Sequence, residues 1–114
     1  MLVVFIVLND VALMDDVLEV FVKLGVKGAT IVDSYGMGKA LRESTTLNYL
    51  MKGPMDRAVP EDTHESKTIF SVIETKQAEF VVKTVDNLLK GSKNSSAGFI
   101  FTLPVNSINP IKHV

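Results

Sequence analysis

The chain has 114 residues, 46% hydrophobic and 22% charged, with mean hydropathy +0.26, a formal charge of -1 and a pI of about 6.1. That length suits one domain, 1–114, with enough apolar residues for a core. The near-neutral charge and 7% aromatic content leave neither a basic footprint nor a stacking platform for nucleic acid, and the absence of cysteine removes disulfides and thiolate zinc sites.

The first predicted element is the β-branched run Leu2 to Leu8, expected as a strand buried on both faces. It is too short to span a membrane and carries no basic flank of a leader, so no membrane insertion is expected and the composition fits a cytoplasmic setting. Asn9-Asp10 then reads as a helix N-cap. Val11, Leu13, Met14, Val17, Leu18, Phe21, Val22 and Leu24 follow at helical spacing, and Gly25 stands at the expected C-cap.

A second strand is predicted over 29–35, and a long polar loop, about 36–66, leads to a third strand over 67–73. Loops of that length inside a small domain are usually functional. Ala78, Val81, Val82, Val85, Leu88 and Leu89 trace a second amphipathic helix over 76–90, stopped by Gly91. The polar connector Ser92 to Ala97 precedes a last strand over 99–103, closed by Pro104, and a tail runs from Val105 to Val114.

This order, β-α-β, long loop, β-α-β, is that of an α+β, ferredoxin-like βαββαβ unit with an antiparallel sheet and both helices on one face. The strands are apolar at nearly every position, so the other sheet face needs a cover. Packing three such sheets about an axis, a homotrimer, is the simplest one.

Several groups of residues invite a chemical reading. Gly36-Met37-Gly38-Lys39 reads either as a backbone nest with a cation for an anionic ligand or as a flexible exit turn. Ser92 to Ser96 with Lys93 offers donors but follows a helix C-terminus, where the dipole opposes an anion. Glu61, Asp62, His64 and Glu65 are consecutive loop residues, better read as a solvated charge run than as a metal site. Leu47-Asn48-Tyr49-Leu50-Met51 reads as an apolar patch for a partner protein or a second copy. Asp33 and Glu74 are expected to be strand-edge charges, and no nucleophile and base or paired carboxylates converge as an enzyme would need.

Three stretches carry a family resemblance: Gly25-Val26-Lys27-Gly28-Ala29-Thr30-Ile31, Tyr35-Gly36-Met37-Gly38-Lys39, and Phe99-Ile100-Phe101-Thr102-Leu103-Pro104-Val105. The chain resembles the PII-type nitrogen-regulatory signalling proteins over nearly its whole length outside the long loop, with the related CutA-type metal-associated trimers as structural neighbours. The resemblance implies a trimer whose long loops engage a transporter, enzyme or regulator, and an adenine nucleotide (ATP, ADP or AMP) in each cleft between subunits. The implied ligand residues are Thr30, Gly36, Gly38, Lys39, Gly91, Lys93, Ser95, Ser96 and Lys112; the implied partner residues are Leu47, Tyr49, Leu50 and Met51. Tyr49 falls in the loop where classical members carry a modified tyrosine.

The departures from the family are specific. Ala40 stands where classical members use a glutamine to join magnesium, ATP and 2-oxoglutarate, and Phe99 stands where a phosphate-contacting lysine is expected. That composite site is therefore not expected here. The alternatives are a CutA-like trimer associated with a divalent metal, and a scaffold that binds one protein without any small ligand.

Overall fold

The computed structural model describes residues 1–51, 65–94 and 96–111. Its elements are β1 (Leu2–Leu8), a 3-10 turn (Val11–Leu13), α1 (Met14–Lys23), β2 (Thr30–Ser34), α2 (Met37–Glu43), a second 3-10 turn (Asn48–Met51), β3 (Ser66–Ile73), α3 (Thr75–Lys90) and β4 (Gly98–Pro104). The sheet order is β2-β3-β1-β4 with every neighbouring pair antiparallel, so each βαβ crossover spans one strand of the other half.

Alternation along β1 sorts the sheet into two faces. Val4, Ile6 and Leu8 are fully buried with Ile69 and Ile73 of β3, against Val17 and Phe21 of α1 and Ala78, Val81, Val85 and Leu89 of α3. Each such aliphatic side chain contributes about 1.5–3 kcal/mol by leaving water. Val3, Phe5 and Val7 on the other face are only half-buried, so the strand predicted to be buried on both faces is covered by helices on one. The open face carries an aromatic row instead. Phe5 stacks on Phe101 at 4.8 Å, lies 5.4 Å from Phe70, and Phe101 in turn stacks on Phe99 at 6.1 Å.

The helix ends show why the chain turns where it does. Val26 N–H donates to Phe21 O (2.9 Å) and Gly25 N–H to Val22 O (3.1 Å), with Gly25 at φ +79 and Val26 buried: a Schellman closure, at the glycine read as the C-cap. The N-cap expectation is corrected. Asp10 makes no side-chain cap, because its Oδ2 accepts a hydrogen bond from Ser92 Oγ (2.7 Å) across the molecule. At the exposed end of α1, Lys23 Nζ lies 2.6 Å from Glu19 Oε1, holding that carboxyl below and that ammonium above its ordinary pKa through their mutual hydrogen bond. The carboxyl's share of that helix support is present above the ordinary carboxylate range and is lost as pH falls through the lowered Glu19 value.

Ile6→Ala should lower unfolding stability by about 2–5 kcal/mol in urea titrations, whereas exposed Val22→Ala should change it by less than about 0.5 kcal/mol. Gly98 has φ +154, and a Cβ there would collide with the Val7 carbonyl oxygen. Gly98→Ala should therefore cost more than about 1 kcal/mol in the same titration and speed amide exchange along β4.

Candidate ligand site

Register places two polar segments at one end of the sheet but on opposite edges. Ser34 pairs with Ser66, Lys67 with Leu8, and Leu8 with Gly98, so the root of the long loop and the connector before β4 are separated by the width of the sheet. Three strand spacings amount to about 14 Å.

At the β2 edge the predicted loop is partly helical, which corrects the reading of 36–66 as irregular. Gly36 is extended (φ -86, ψ 171) and its carbonyl accepts the Ala40 N–H at 3.2 Å, opening α2. Lys39, Ala40, Leu41, Arg42 and Glu43 are all good helix formers with no breaker among them after Gly38, and that run was the signal available in the sequence. Ser44 ends the helix and its Oγ accepts the Leu47 N–H (3.0 Å), starting the second 3-10 turn.

Gly38 is buried in the first turn of α2, and Lys39 Nζ lies 5.3 Å from the Tyr35 ring centroid and 4.0 Å from Glu43 Oε1. Lys67 pairs with Asp33, the expected strand-edge charge, and Ser34 Oγ shares hydrogen bonds with Ser66 Oγ (2.7 Å) and Thr68 Oγ1 (2.8 Å). Asp33, Tyr35, Lys39, Glu65 and Lys67 surround a pocket of about 270 Å³ at this root. Thr30 is not part of it. It sits at the other end of β2, exposed, beside a separate shallow cleft with Gly28 and Phe70.

The patch read as a partner surface divides. Leu47, Tyr49 and Leu50 are exposed, but Met51 is buried at 6%, which corrects its placement in that surface. Burial of one residue in a short helical turn is what allows its neighbours to be presented outward.

At the β4 edge the connector is a chain of turns. Gly91 N–H donates to Leu88 O (3.2 Å), Ser92 Oγ accepts the Asn94 N–H (3.0 Å) while donating to Asp10, and Asn94 Oδ1 accepts the Ser96 N–H (2.9 Å). Asn9 and Asp10 N–H groups both donate to Ala97 O (2.8 and 2.9 Å). The Ser92 and Asn94 side chains thus serve the connector's own shape, and Lys93 points into solvent. A cleft of about 340 Å³ lies beside it, between Leu89 and Lys90 of α3 and Ala97 and Phe99. Lys90 is held 2.7 Å from Asp86. Ser95 and Lys112 lie outside the described residues, as do Glu61, Asp62 and His64; among the described residues no group of three or more His, Asp or Glu side chains could hold a metal.

Asp10, Asp86, Lys90 and Lys67 were not singled out as site residues by the sequence. Only Asp86–Lys90, four apart on a helix, was legible there.

The sheet and its paired helices define a ferredoxin-like α+β fold. A crystal structure of Arabidopsis thaliana PII bound to citrate superposes with a TM-score of 0.62 at 21% identity, covering 91% of this chain and 76% of that one. A family model for nitrogen regulatory protein P-II matches residues 1–113. The chain belongs to the nitrogen regulatory protein P-II family, a family of signal-transduction regulators. A search of curated protein sequences returned no match. No helix among the described residues is long and apolar enough to cross a membrane.

Ser92→Ala removes the donor to Asp10 and should cost about 1–3 kcal/mol, since that bond ends on a carboxylate. Hydrogen exchange should accelerate over 92–98 while β3 keeps its protection; unchanged exchange in the connector would show that the Ala97 contacts suffice alone.

Proposed function

We propose that the protein is a cytoplasmic signalling regulator, one domain over 1–114, that works as a homotrimer. It senses an adenine nucleotide (ATP, ADP or AMP) between subunits and acts on a transporter, enzyme or regulator through the 36–66 loop. The observation that carries this reading is the placement of the loop root and the connector at one end of the sheet on opposite edges. Unlike edges that meet head-to-tail close into a ring, and each contact then sets one subunit's Lys39 beside its neighbour's connector. The open face supports the same assembly: Phe99, Phe101 and Leu103 are 55%, 40% and 49% exposed in one chain, a continuous apolar surface that needs a cover.

In this reading Gly36, Gly38 and Lys39 supply the stem side of the cleft, and Gly91, Lys93, Ser95 and Ser96 the connector side. Thr30 lies further along β2. Lys112 of the C-terminal tail completes the proposed set. Leu47, Tyr49 and Leu50 form the partner-facing patch. The scaffold reading draws support from the charges: Lys67 and Lys90 are each bound to a carboxylate, Lys39 has Glu43 at 4.0 Å, and Phe99 brings none of the positive charge a polyphosphate requires.

Light scattering should give three times the 12.5 kDa chain mass; a monomer would sink the assembly. Thermal-shift titrations with ATP, ADP and AMP should raise the melting temperature, and Lys39→Ala should remove the shift. Phe99→Lys should strengthen ATP binding by about tenfold or more, one charge-assisted contact. No shift with any nucleotide in a trimeric protein would favour the scaffold.

A further inference from the structure

The pocket at the loop root differs in chemistry from a site for anions. Two lysines, Lys39 and Lys67, and two acidic residues, Asp33 and Glu65, line the same space together with Ser34, Tyr35 and Ser66. A dianion placed there would gain from the lysines and lose to the carboxylates at similar range. Its volume, about 270 Å³, falls below the 300–1,000 Å³ typical of drug-sized ligands, so the occupant is small.

The charges are also unequally engaged. Lys67 is bound directly to Asp33, whereas Lys39, with its side chain 23% exposed, lies 4.0 Å from Glu43, too far for a hydrogen bond. Its ammonium lies over the Tyr35 ring, and both residues line the pocket. We propose, building on the signalling function above, that this pocket binds a free α-amino acid, its carboxylate on Lys39 and its ammonium between Glu65 and Asp33. A zwitterion satisfies both signs of charge in one small volume. The position gives it a consequence: Tyr35 and Lys39 stand where the chain enters the loop, and Glu65 and Ser66 where it returns to β3. One bound molecule reaching from Lys39 to Glu65 adds a link between the start of α2 and the residue before β3, beyond the Ser34–Ser66 and Asp33–Lys67 pairs already there.

The test is a thermal-shift screen of the whole chain against the twenty standard α-amino acids, with the best one carried into calorimetry beside its own 2-oxo acid. The pair differs only in ammonium against ketone. At least one amino acid should bind saturably and at least tenfold more tightly than its 2-oxo acid. The Asp33→Asn, Glu65→Gln double variant, at exposed positions, should bring that ratio to near one, and Lys39→Gln should weaken the amino acid by about tenfold. Saturable binding by none of the twenty, or a 2-oxo acid that binds as tightly, overturns the proposal. A trimer that still binds adenine nucleotide would in that case leave the signalling function standing; a monomer that binds nothing would remove both.

Discussion

The sheet depends on its two central strands, each paired on both sides. The ladders of β1 with β3 and with β4 run through the same residues, Leu2 to Leu8, so this strand sets the register of those two neighbours, and β3 in turn sets that of β2. Val4, Ile6 and Leu8 are thereby committed to the helices, and Phe5 to the opposite face with Phe70 and Phe101 as direct cross-strand partners. A slip of one residue would exchange the two sets and destroy the core. The same centrality leaves β2 and β4 as the outer strands, which is why the loop root and the connector stand on opposite edges.

The second organising feature is local neutralisation of charge. Lys90 answers Asp86, Lys67 answers Asp33, and Lys39 faces Glu43 at longer range while resting over Tyr35. A site built for polyphosphate leaves cations uncompensated, because the ligand brings the counter-charge. Here most of that counter-charge is already present in the chain.

Asp10 shows how tertiary contacts redirect a local preference. In isolation an Asn-Asp pair before an apolar periodic run is an N-cap, and the energetic gain of about 1 kcal/mol is real. The connector competes for the same carboxylate with the Ser92 hydroxyl while Ala97 O takes the two backbone N–H groups. The first helix therefore begins through a 3-10 turn, and the corner between β1 and α1 becomes the anchor of the segment that precedes β4.

Periodicity alone determined the four strands, the two long helices, their order and hence the antiparallel ferredoxin-like sheet, because apolar spacing reports directly on which face of an element leaves water. Gly25 was legible for a similar reason, since a helix that stops at glycine has few other ways to close. The short α2 was missed: seven residues bury little, and two glycines with a polar loop around them masked the helix-forming run from Lys39 to Glu43. Met51 was placed on the surface because nothing in Leu47 to Met51 says which apolar residue turns inward. The pairing of Ser92 with Asp10, of Lys67 with Asp33, and the gathering of Asp33 and Lys39 with Glu65 around one pocket join segments more than 20 positions apart. Contacts of that range depend on strand register and on the order of the edges, which only the folded sheet decides.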